Sequence, residues 1–498
     1  MTGLTKLPVE LIAAIVSLLD DPDILTTRLT SRAVERASLP DFGHRFFRKK
    51  GYLITTPSLD VLAQIAAHED LRKHVQHVWF NPDCFTFVHP ACAPDAQEAP
   101  DPENPDSILQ LLSPGDRKQY EAYQAVKQDH SLLSRRCGVR LQEVLTPIFT
   151  NLPNLKIIGM RRSEDHAPWG WRQLKDAVGE DPRELGPIPS GPMHSLSGPT
   201  KLFLAIVNAA AAANSQLRRF YTDAIEIDNI RPDLLTQETL DKVCGPIWYL
   251  EINMTRAWLY KHQKKDFAPD PDNYGNGLVK LLKATTKLKE IGLQIFPDRQ
   301  QSHGLAPDWQ DSESWRKTYS HICLQRVVEN VRLLHLTRVK LEKVVTSPAT
   351  LLAFLTPCTV RLTSLKLRDV RLLSDEEHPR PWRTIFAFLL NSCPKLNYLL
   401  FYQLFYESGG ISFLGASDAP PDHLLALGTP IFPASASADS SAETFLLDSS
   451  RPALHVSGRE AVAKRLEEVL ERHCYHTYVP SHQIDEGSWH TDTSDEEW

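Results

Sequence analysis

The residues able to do chemistry in this chain are few, and they are sought first where metal ligands, nucleophiles or phosphate-binding glycines cluster. Cys84, His89 and Cys92 form one group of ligand-like composition, and His473, Cys474 and His476 form another. A structural zinc site takes four ligands from two spaced pairs, and neither group has a second pair. Buried thiols and surface imidazoles account for both. Cys474 is the one candidate for an activated thiol, since a reactive thiolate needs a neighbouring base, and it lies beside histidines at the end of a terminal helix. Gly275-Asn276-Gly277 lacks the further glycine and the lysine that a phosphate cradle requires, and no G-x-S-x-G nucleophile turn occurs. The carboxylate pairs Asp20–Asp21 and Asp181–Glu184 suit helix punctuation and loop charge. The expectation is a non-catalytic chain with no metal and no cofactor.

Composition points the same way. Across 498 residues, 55 Lys and Arg face 62 Asp and Glu, so the formal charge is -7 and no bulk attraction to nucleic acid or anionic lipid is expected. The 42% apolar and 23% charged fractions are those of a globular chain, and the length allows two or three domains. The eight cysteines stand singly, as expected for reduced thiols of the cytoplasm or nucleus. Met1 to Leu19 is punctuated by Lys6, Pro8, Glu10 and Ser17, unlike a secretory leader. The Ala-rich stretch Leu202 to Ala213 is too short to cross about 30 Å of hydrocarbon. No membrane partner is expected.

If the chain works by binding, its elements must present a surface. Residues 4 to 47 place apolar side chains at helical spacing, which predicts three short helices. In the first, Pro8 suits the opening turn, Glu10 complements the positive end, and Leu7, Leu11, Ile15, Leu18 and Leu19 form a stripe. The second starts with Asp21 as cap and Pro22 just inside, carrying Ile24, Leu25 and Leu29. The third carries Ala33, Val34 and Ala37. So small a unit cannot enclose all these side chains, so part of the stripe meets either the rest of the chain or a partner.

Leu7-Pro8-Val9-Glu10-Leu11, then Ile15, Leu19 and the turn Asp20 to Leu25, resembles the F-box: L-P-x-E-[LI], two later apolar positions and a D-x-x-D-[IL] turn. The second half reads Leu29-Thr30-Ser31-Arg32-Ala33-Val34 where many members carry V-C-[KR]-x-W, a form similar to F-box proteins of filamentous fungi. The resemblance covers under a tenth of the chain. It implies docking on a Skp-type adaptor and, through it, a cullin-RING ubiquitin ligase, with Leu7, Pro8, Leu11, Ile15, Leu18, Leu19, Leu25 and Leu29 as the adaptor-binding residues.

Beyond residue 50 the pattern L-x-x-L-x-L recurs after polar or Pro-containing turns. It occurs at Val75-Val78-Phe80, Leu155-Ile158-Met160, Ile247-Leu250-Ile252, Leu288-Ile291-Leu293, Val331-Leu334-Leu336, Leu362-Leu365-Leu367 and Leu396-Leu399-Phe401, with a frayed copy at Leu217-Phe220. Segments such as IFTNLPNLKII and FLLNSCPKLNYLLF read as helix, turn and short strand. The expected fold is therefore α+β, or an α/β repeat: a three-helix F-box over 1–50, then an irregular solenoid over 51–406 resembling leucine-rich repeats. A generic α/β domain is the alternative. Pleat alternation turns Trp79, Arg161, Tyr249, Glu251, His335, Lys366, Arg368, Tyr398 and Tyr402 outward, as candidate contacts to an unknown substrate protein.

Gly51 to Asp60 reads as a loop into a helix at Leu59, Leu62 and Ile65. Pro- and Gly-rich insertions at about 89–106, 163–199 and 267–277 are expected to add no core. Residues 407–451 read as a low-complexity linker, 452–478 as a C-terminal helix with Val462, Leu466, Val469 and Leu470 on one face, and 479–498 as an acidic tail. Two readings of function compete: a substrate-recognition adaptor of a ubiquitin ligase, and a scaffold whose first helices pack on its own body.

Overall fold

The computed structural model describes residues 7–82, 113–161, 167–179, 198–223, 225–254, 271–295, 309–373, 381–406, 409–413, 453–471 and 474–477. They form two compact units, 1–288 and 289–498, both mixed α/β and both built on parallel strands. The expected insertion 89–106, most of the linker 407–451 and the tail 479–498 lie outside the described residues.

The first unit opens with α1 (Val9–Ser17), α2 (Asp21–Arg28) and α3 (Arg32–Phe47). The cap of α2 is Asp20 rather than Asp21, its carboxylate accepting the Asp23 amide at 3.0 Å, and Ser31 caps α3 through the Val34 amide. Ile12, Val16, Ile24, Val34 and Ala37 form the buried core of the three helices, with Leu7, Leu19, Phe42 and Phe46 packed against it. Arg45 of α3 donates to the carbonyls of Ser17 at 2.6 Å and Leu19 at 2.7 Å, satisfying acceptors that the end of α1 leaves open. This fastens α1 to α3 independently of the apolar core.

Next come β1 (Lys49–Leu53), α4 (Thr56–Ala67), β2 (His77–Asn81), α5 (Pro114–Thr150), β3 (Ile157–Met160), α6 (Trp171–Val178), α7 (Gly198–Ala212), β4 (Arg219–Tyr221), α8 (Gln237–Cys244), β5 (Tyr249–Met254) and α9 (Asn276–Ala284). The five strands pair in parallel in chain order, each joined to the next by a helical connection. Gly51 to Leu53, expected as loop, is the buried edge strand β1. Likewise α6 falls inside the insertion 163–199 yet buries Trp171, Leu174 and Val178 against Leu53 and Tyr123. Its Trp, Leu and Val recur on one helical face, a signal that the surrounding prolines and glycines obscure.

The second unit contains β6 (Glu290–Ile295), α10 (Trp309–Asn330), β7 (Arg338–Glu342), β8 (Val345–Thr346), α11 (Pro348–Leu355), β9 (Ser364–Leu372), α12 (Pro381–Ser392), β10 (Tyr398–Tyr406), β11 (Gly409–Phe413), β12 (Ala453–Ser457), α13 (Arg459–Glu471) and β13 (Cys474–Thr477). Strands β6, β7, β9 and β10 are parallel neighbours, and β8 continues beside the end of β9. The far edge of β10 is covered by β12 and β11, both antiparallel, and β13 pairs with β11. β11 thus occupies the start of the stretch expected as linker. α13 packs on α12, β10 and β12, burying Val462, Leu466 and Val469, so it covers this unit's own end.

A backbone device repeats in both units. The carbonyl before each strand accepts two successive amides of the next: Gln76 and His77 on Arg48, Lys156 and Ile157 on Gln76, Arg218 and Arg219 on Lys156, Trp248 and Tyr249 on Arg218. In the second unit the acceptors are Lys289, Thr337 and Thr363. This ladder locks the strand starts in register and satisfies groups that a tight turn would orphan.

Register corrects one expectation. The inward triplet of β7 is Leu336-Val339-Leu341, all buried, and Leu334 is exposed beside an open apolar groove with Val331, Phe354 and Pro357. Both phases satisfy the spacing pattern, and only the preceding turn distinguishes them.

Close approach explains two glycines. Trp79 lies across Gly51 and Tyr221 across Gly159, so a Cβ at either position would fall inside the aromatic ring. Tyr221 cannot withdraw freely, because its hydroxyl is bonded to His77 Nε2 at 2.8 Å. Gly159→Ala is expected to destabilise the first unit by about 1–3 kcal/mol, whereas Gly115→Ala on open surface should be near neutral. Denaturant titration of the two variants measures the difference.

Candidate protein-binding surfaces

α1 carries apolar residues nearly all round, and the structure divides the apolar residues of the N-terminal helices between core and solvent. Ile12 and Val16 fill the three-helix core, and Leu7 and Leu19 lean on it. Pro8, Leu11, Ile15, Leu18, Leu25 and Leu29 point to solvent, with Leu18 87% and Leu29 88% exposed. Of the residues expected to contact an adaptor, these six are exposed and Leu7 and Leu19 are half-buried. The module joins the remainder of its unit through α3, which packs on β1 and sets Gly43 against the His74 ring. Among the described residues no later segment covers these six side chains.

The strands present a second surface, on the side opposite their buried alternate residues. In the first unit Arg161, Tyr249 and Glu251 are half-buried on this outward side. The Tyr249 hydroxyl donates to Glu251 at 2.7 Å, and the Arg219 guanidinium lies over the Tyr249 ring at 4.3 Å. Burial first, and then the Glu251 charge, push the Tyr249 hydroxyl well above its usual range. Arg161 lies over the Tyr221 ring at 5.1 Å. Trp79, expected as an outward contact, is buried over Gly51 and serves packing instead. A ring that fills the space a glycine leaves has little face to offer a partner.

In the second unit Lys366, Arg368, Tyr398 and Tyr402 share the outward side of β9 and β10. Lys366 Nζ sits 5.3 Å from the Tyr398 ring and Arg368 5.2 Å from the Tyr402 ring. Arg371 over Phe405 at 5.7 Å continues the series, and Arg338, Lys340 and Glu342 extend it onto β7. His335 does not belong here: it lies in the turn before β7 and meets Arg361 at 2.9 Å, a consequence of the register described above.

The continuation past Arg368 depends on an aligned kink. Lys343, Asp369 and Gln403 each adopt left-handed backbone, with φ of 54°, 52° and 52°, at equivalent points of three neighbouring strands. Each takes up one residue of the pleat, so Val344, Val370 and Leu404 stay buried while Arg371 and Phe405 emerge outward. Left-handed backbone costs a non-glycine residue roughly 1–2 kcal/mol, and such strain is characteristically held at sites where the surroundings enforce it. No glycine marks any of the three positions, so residue types carried no sign of them.

Glu342 and Asp369 are buried among these cations. Arg368 Nε approaches Glu342 at 3.8 Å and Asp369 at 4.0 Å, and Lys340 pairs with Glu342 at 3.1 Å. Burial outweighs the attraction of Arg368 and Lys343, so the Asp369 carboxyl is pushed up to about 6. The folded state therefore holds this proton to higher pH than the unfolded chain does, and stability falls as pH rises from about 4 to about 6. Asp369→Asn removes the charge and keeps a residue that tolerates left-handed backbone. It is expected to raise unfolding free energy by roughly 1–3 kcal/mol at neutral pH and by little near pH 4, as measured by denaturant titration at both.

The chemical candidates of the sequence find no assembled site. Asp228 accepts the amides of Gly275 and Gly277 at 2.8 and 2.9 Å, so a carboxylate of the chain itself occupies the helix start where phosphate would sit. Cys244, Cys323, Cys358 and Cys393 are buried and form no disulfide, and burial pushes the thiols of Cys358 and Cys393 up to about 12 and about 11. Such thiols are inert. Cys84, His89, Cys92 and His473 lie outside the described residues, and Cys474 starts β13 rather than ending a helix. Among the described residues no three ligating side chains converge as a metal site would require, and no helix is long and apolar enough to cross a membrane.

No protein-family model matches the chain, and no curated protein matches it. Solved structures give distant likenesses. The leucine-rich repeat-containing protein LegL7 from Legionella pneumophila aligns over 72% of this chain and 91% of its own, at 10% identity and a TM-score of 0.30. The catalytic core of a xylanase A, at 10% identity, and a thermostable mutant of a xylanase from Cellvibrio japonicus, at 11%, each align over 61% of this chain and 89% of their own with a TM-score of 0.19. At scores of this size none of the three bears on fold or function.

Proposed function

We propose that this chain is a substrate-recognition adaptor of a cullin-RING ubiquitin ligase. In this reading α1 to α3 are an F-box that docks on a Skp-type adaptor, and the strands belong to an irregular leucine-rich-repeat-like body whose outward face takes a substrate protein. The chain performs no chemistry. It holds the substrate near the charged conjugating enzyme, which converts a bimolecular encounter into an effectively intramolecular one.

One observation carries the reading. The three helices complete their own core with Ile12, Val16, Ile24, Val34 and Ala37 and still leave Leu11, Ile15, Leu18, Leu25 and Leu29 in solvent. A module that used these side chains for internal packing would bury them, and their exposure among the described residues supports the adaptor reading. Each leucine that became fully buried would contribute about 1.5–3 kcal/mol, and several together offset an association cost of about 4–15 kcal/mol. Mixing the full chain with a purified Skp-type adaptor tests the proposal. Co-elution as a stoichiometric complex is expected, and separate elution at micromolar concentration would count against it.

A further inference from the structure

The turns that lead into β7, β9 and β10 keep the register of the strands they open. Arg338, Ser364 and Tyr398 are partners across the three strands, and the Thr337 and Thr363 carbonyls each accept two successive amides of the next repeat. Leu336, Leu362 and Leu396, two residues earlier, are therefore equivalent buried anchors. The two residues before each anchor are exposed, and they make two rows. One is apolar: Leu334, Val360 and Pro394, with Leu334 51% and Val360 67% exposed. Beside it stand His335, Arg361 and Lys395. Arg361 Nη1 donates to His335 Nδ1 at 2.9 Å, a contact between neighbours of this second row.

The apolar row opens into a groove of 480 Å³ at the ends of α10 and α11, lined by Val328, Val331 and Pro357 with the buried Leu333 and Phe354. Arg332 also lines it and is exposed. Among the described residues Arg332, Arg361 and Lys395 have no carboxylate partner, and Arg361 meets only the His335 ring. Glu329, in the last turn of α10, accepts instead from Gln325 at 2.9 Å. Residues 330–338, 355–364 and 392–398, which make up these turns, are described throughout.

We propose that this edge of the second unit docks an acidic amphipathic helix of a partner protein. A bulky apolar side chain of the helix enters the groove, and its carboxylates meet Arg332, Arg361 and Lys395. The surface is separate from the outward side of the strands and from α1 to α3, so it goes beyond the adaptor reading and does not rest on it. Charge complementarity and shape specify the occupant. Cations beside an apolar row call for a ligand whose negative and apolar groups lie on adjoining stripes, which an amphipathic helix provides. Three strands about 4.8 Å apart span only about 10 Å, so two helical turns cover both rows. A bilayer takes up apolar side chains that project from a surface, whereas Leu333 and Phe354 lie in a recess that a single side chain can enter.

The test uses the full chain without any adaptor, so that failure to capture a Skp-type protein and failure to capture peptide are separate results. A fluorescent peptide of about fourteen residues, with leucines on one helical stripe and glutamates beside them, is titrated and followed by anisotropy. Saturable binding is expected, weakening severalfold between low and high salt. A scrambled peptide of the same composition lacks the stripe and should bind about tenfold more weakly or worse. Arg332→Glu with Arg361→Glu should weaken binding by about tenfold or more and confer binding of the peptide whose glutamates are replaced by lysines. Leu334→Gln should weaken it without changing the salt dependence, and Lys242→Gln in the first unit should leave it unchanged. Should the paired arginine variant unfold by circular dichroism, Leu334→Gln and the scrambled peptide still decide the matter. No binding, equal binding of the scrambled peptide, or binding indifferent to these substitutions would overturn the proposal. So would adsorption to phosphatidylserine vesicles that the same substitutions abolish, without binding of peptide. Binding seen only after Asp485, Glu486, Asp492, Asp495, Glu496 and Glu497 are replaced by their amides would overturn it in favour of the chain's own acidic end.

Discussion

A full-length chain carrying Leu11→Glu, Leu18→Lys and Leu29→Lys is expected to fold as the parent does and to lose capture of a Skp-type adaptor. The three side chains are 51%, 87% and 88% exposed, so each replacement should move stability by no more than about 0.5 kcal/mol. The charges are chosen to suit the helices: glutamate in the first turn of α1, and lysine at the residues that close α1 and α2. In a complex the same three positions would be buried. Losing them forfeits roughly 5–9 kcal/mol of apolar contact and adds the cost of desolvating three charges. At about 1.4 kcal/mol per decade this exceeds a thousandfold in affinity. The contrast is Ile12→Glu, which places a charge in the module's own core and should unfold it. Pull-down and circular dichroism on the two variants separate the effects. A triple variant that still captured adaptor at parental affinity would end the F-box reading.

The largest expected loss of stability lies in the second unit, at Trp382. Its indole is fully buried, stacks on Phe386 with centroids 5.9 Å apart, and donates Nε1–H to the Phe405 carbonyl at 3.0 Å. Phe386 in turn stacks on Phe401 at 5.5 Å, so one aromatic column ties α12 to β10. Trp382→Ala would leave a cavity and an unpaired carbonyl next to the kinked part of the strand. A cost of about 3–5 kcal/mol is expected, lowering the melting temperature of the unit by roughly 10 °C. Trp382→Phe keeps most of the volume and loses the hydrogen bond, so it should recover more than half of the loss. Calorimetry on both variants tests this, and equal losses would mean that the carbonyl, and not the packing, dominates.

Much of the strand layout was legible, because an inward residue every second position after a buried anchor is forced by the pleat. Leu155-Ile158-Met160, Ile247-Leu250-Ile252, Leu288-Ile291-Leu293, Leu362-Leu365-Leu367 and Leu396-Leu399-Phe401 all lie where their spacing put them. The anchor of β7 was ambiguous because Val331, Leu334, Leu336, Val339 and Leu341 fit two phases, and the choice moved His335 onto a face it does not occupy. On α1 the ambiguity was one of face. Val9, Leu11, Ile12, Ile15, Val16, Leu18 and Leu19 surround the helix, so periodicity cannot say which side the module keeps for itself. β1 escaped notice because it follows a helix with no turn residue between them. Of the candidate surface, the charged residues were visible as types, but not their layering, since whether a carboxylate lies under or beside a cation depends on the neighbouring strand.

The aligned left-handed positions also constrain how the chain can change in length. Removing one residue from β10 alone would put Leu404 and Phe405 out of phase with Val370 and Arg371 beside them, exchanging an apolar side chain for an outward one along the remainder of the strand. The neighbours could follow only if β7 and β9 each lost a residue at the matching point. Insertions and deletions are thereby excluded from these three strands and directed to the connections between them.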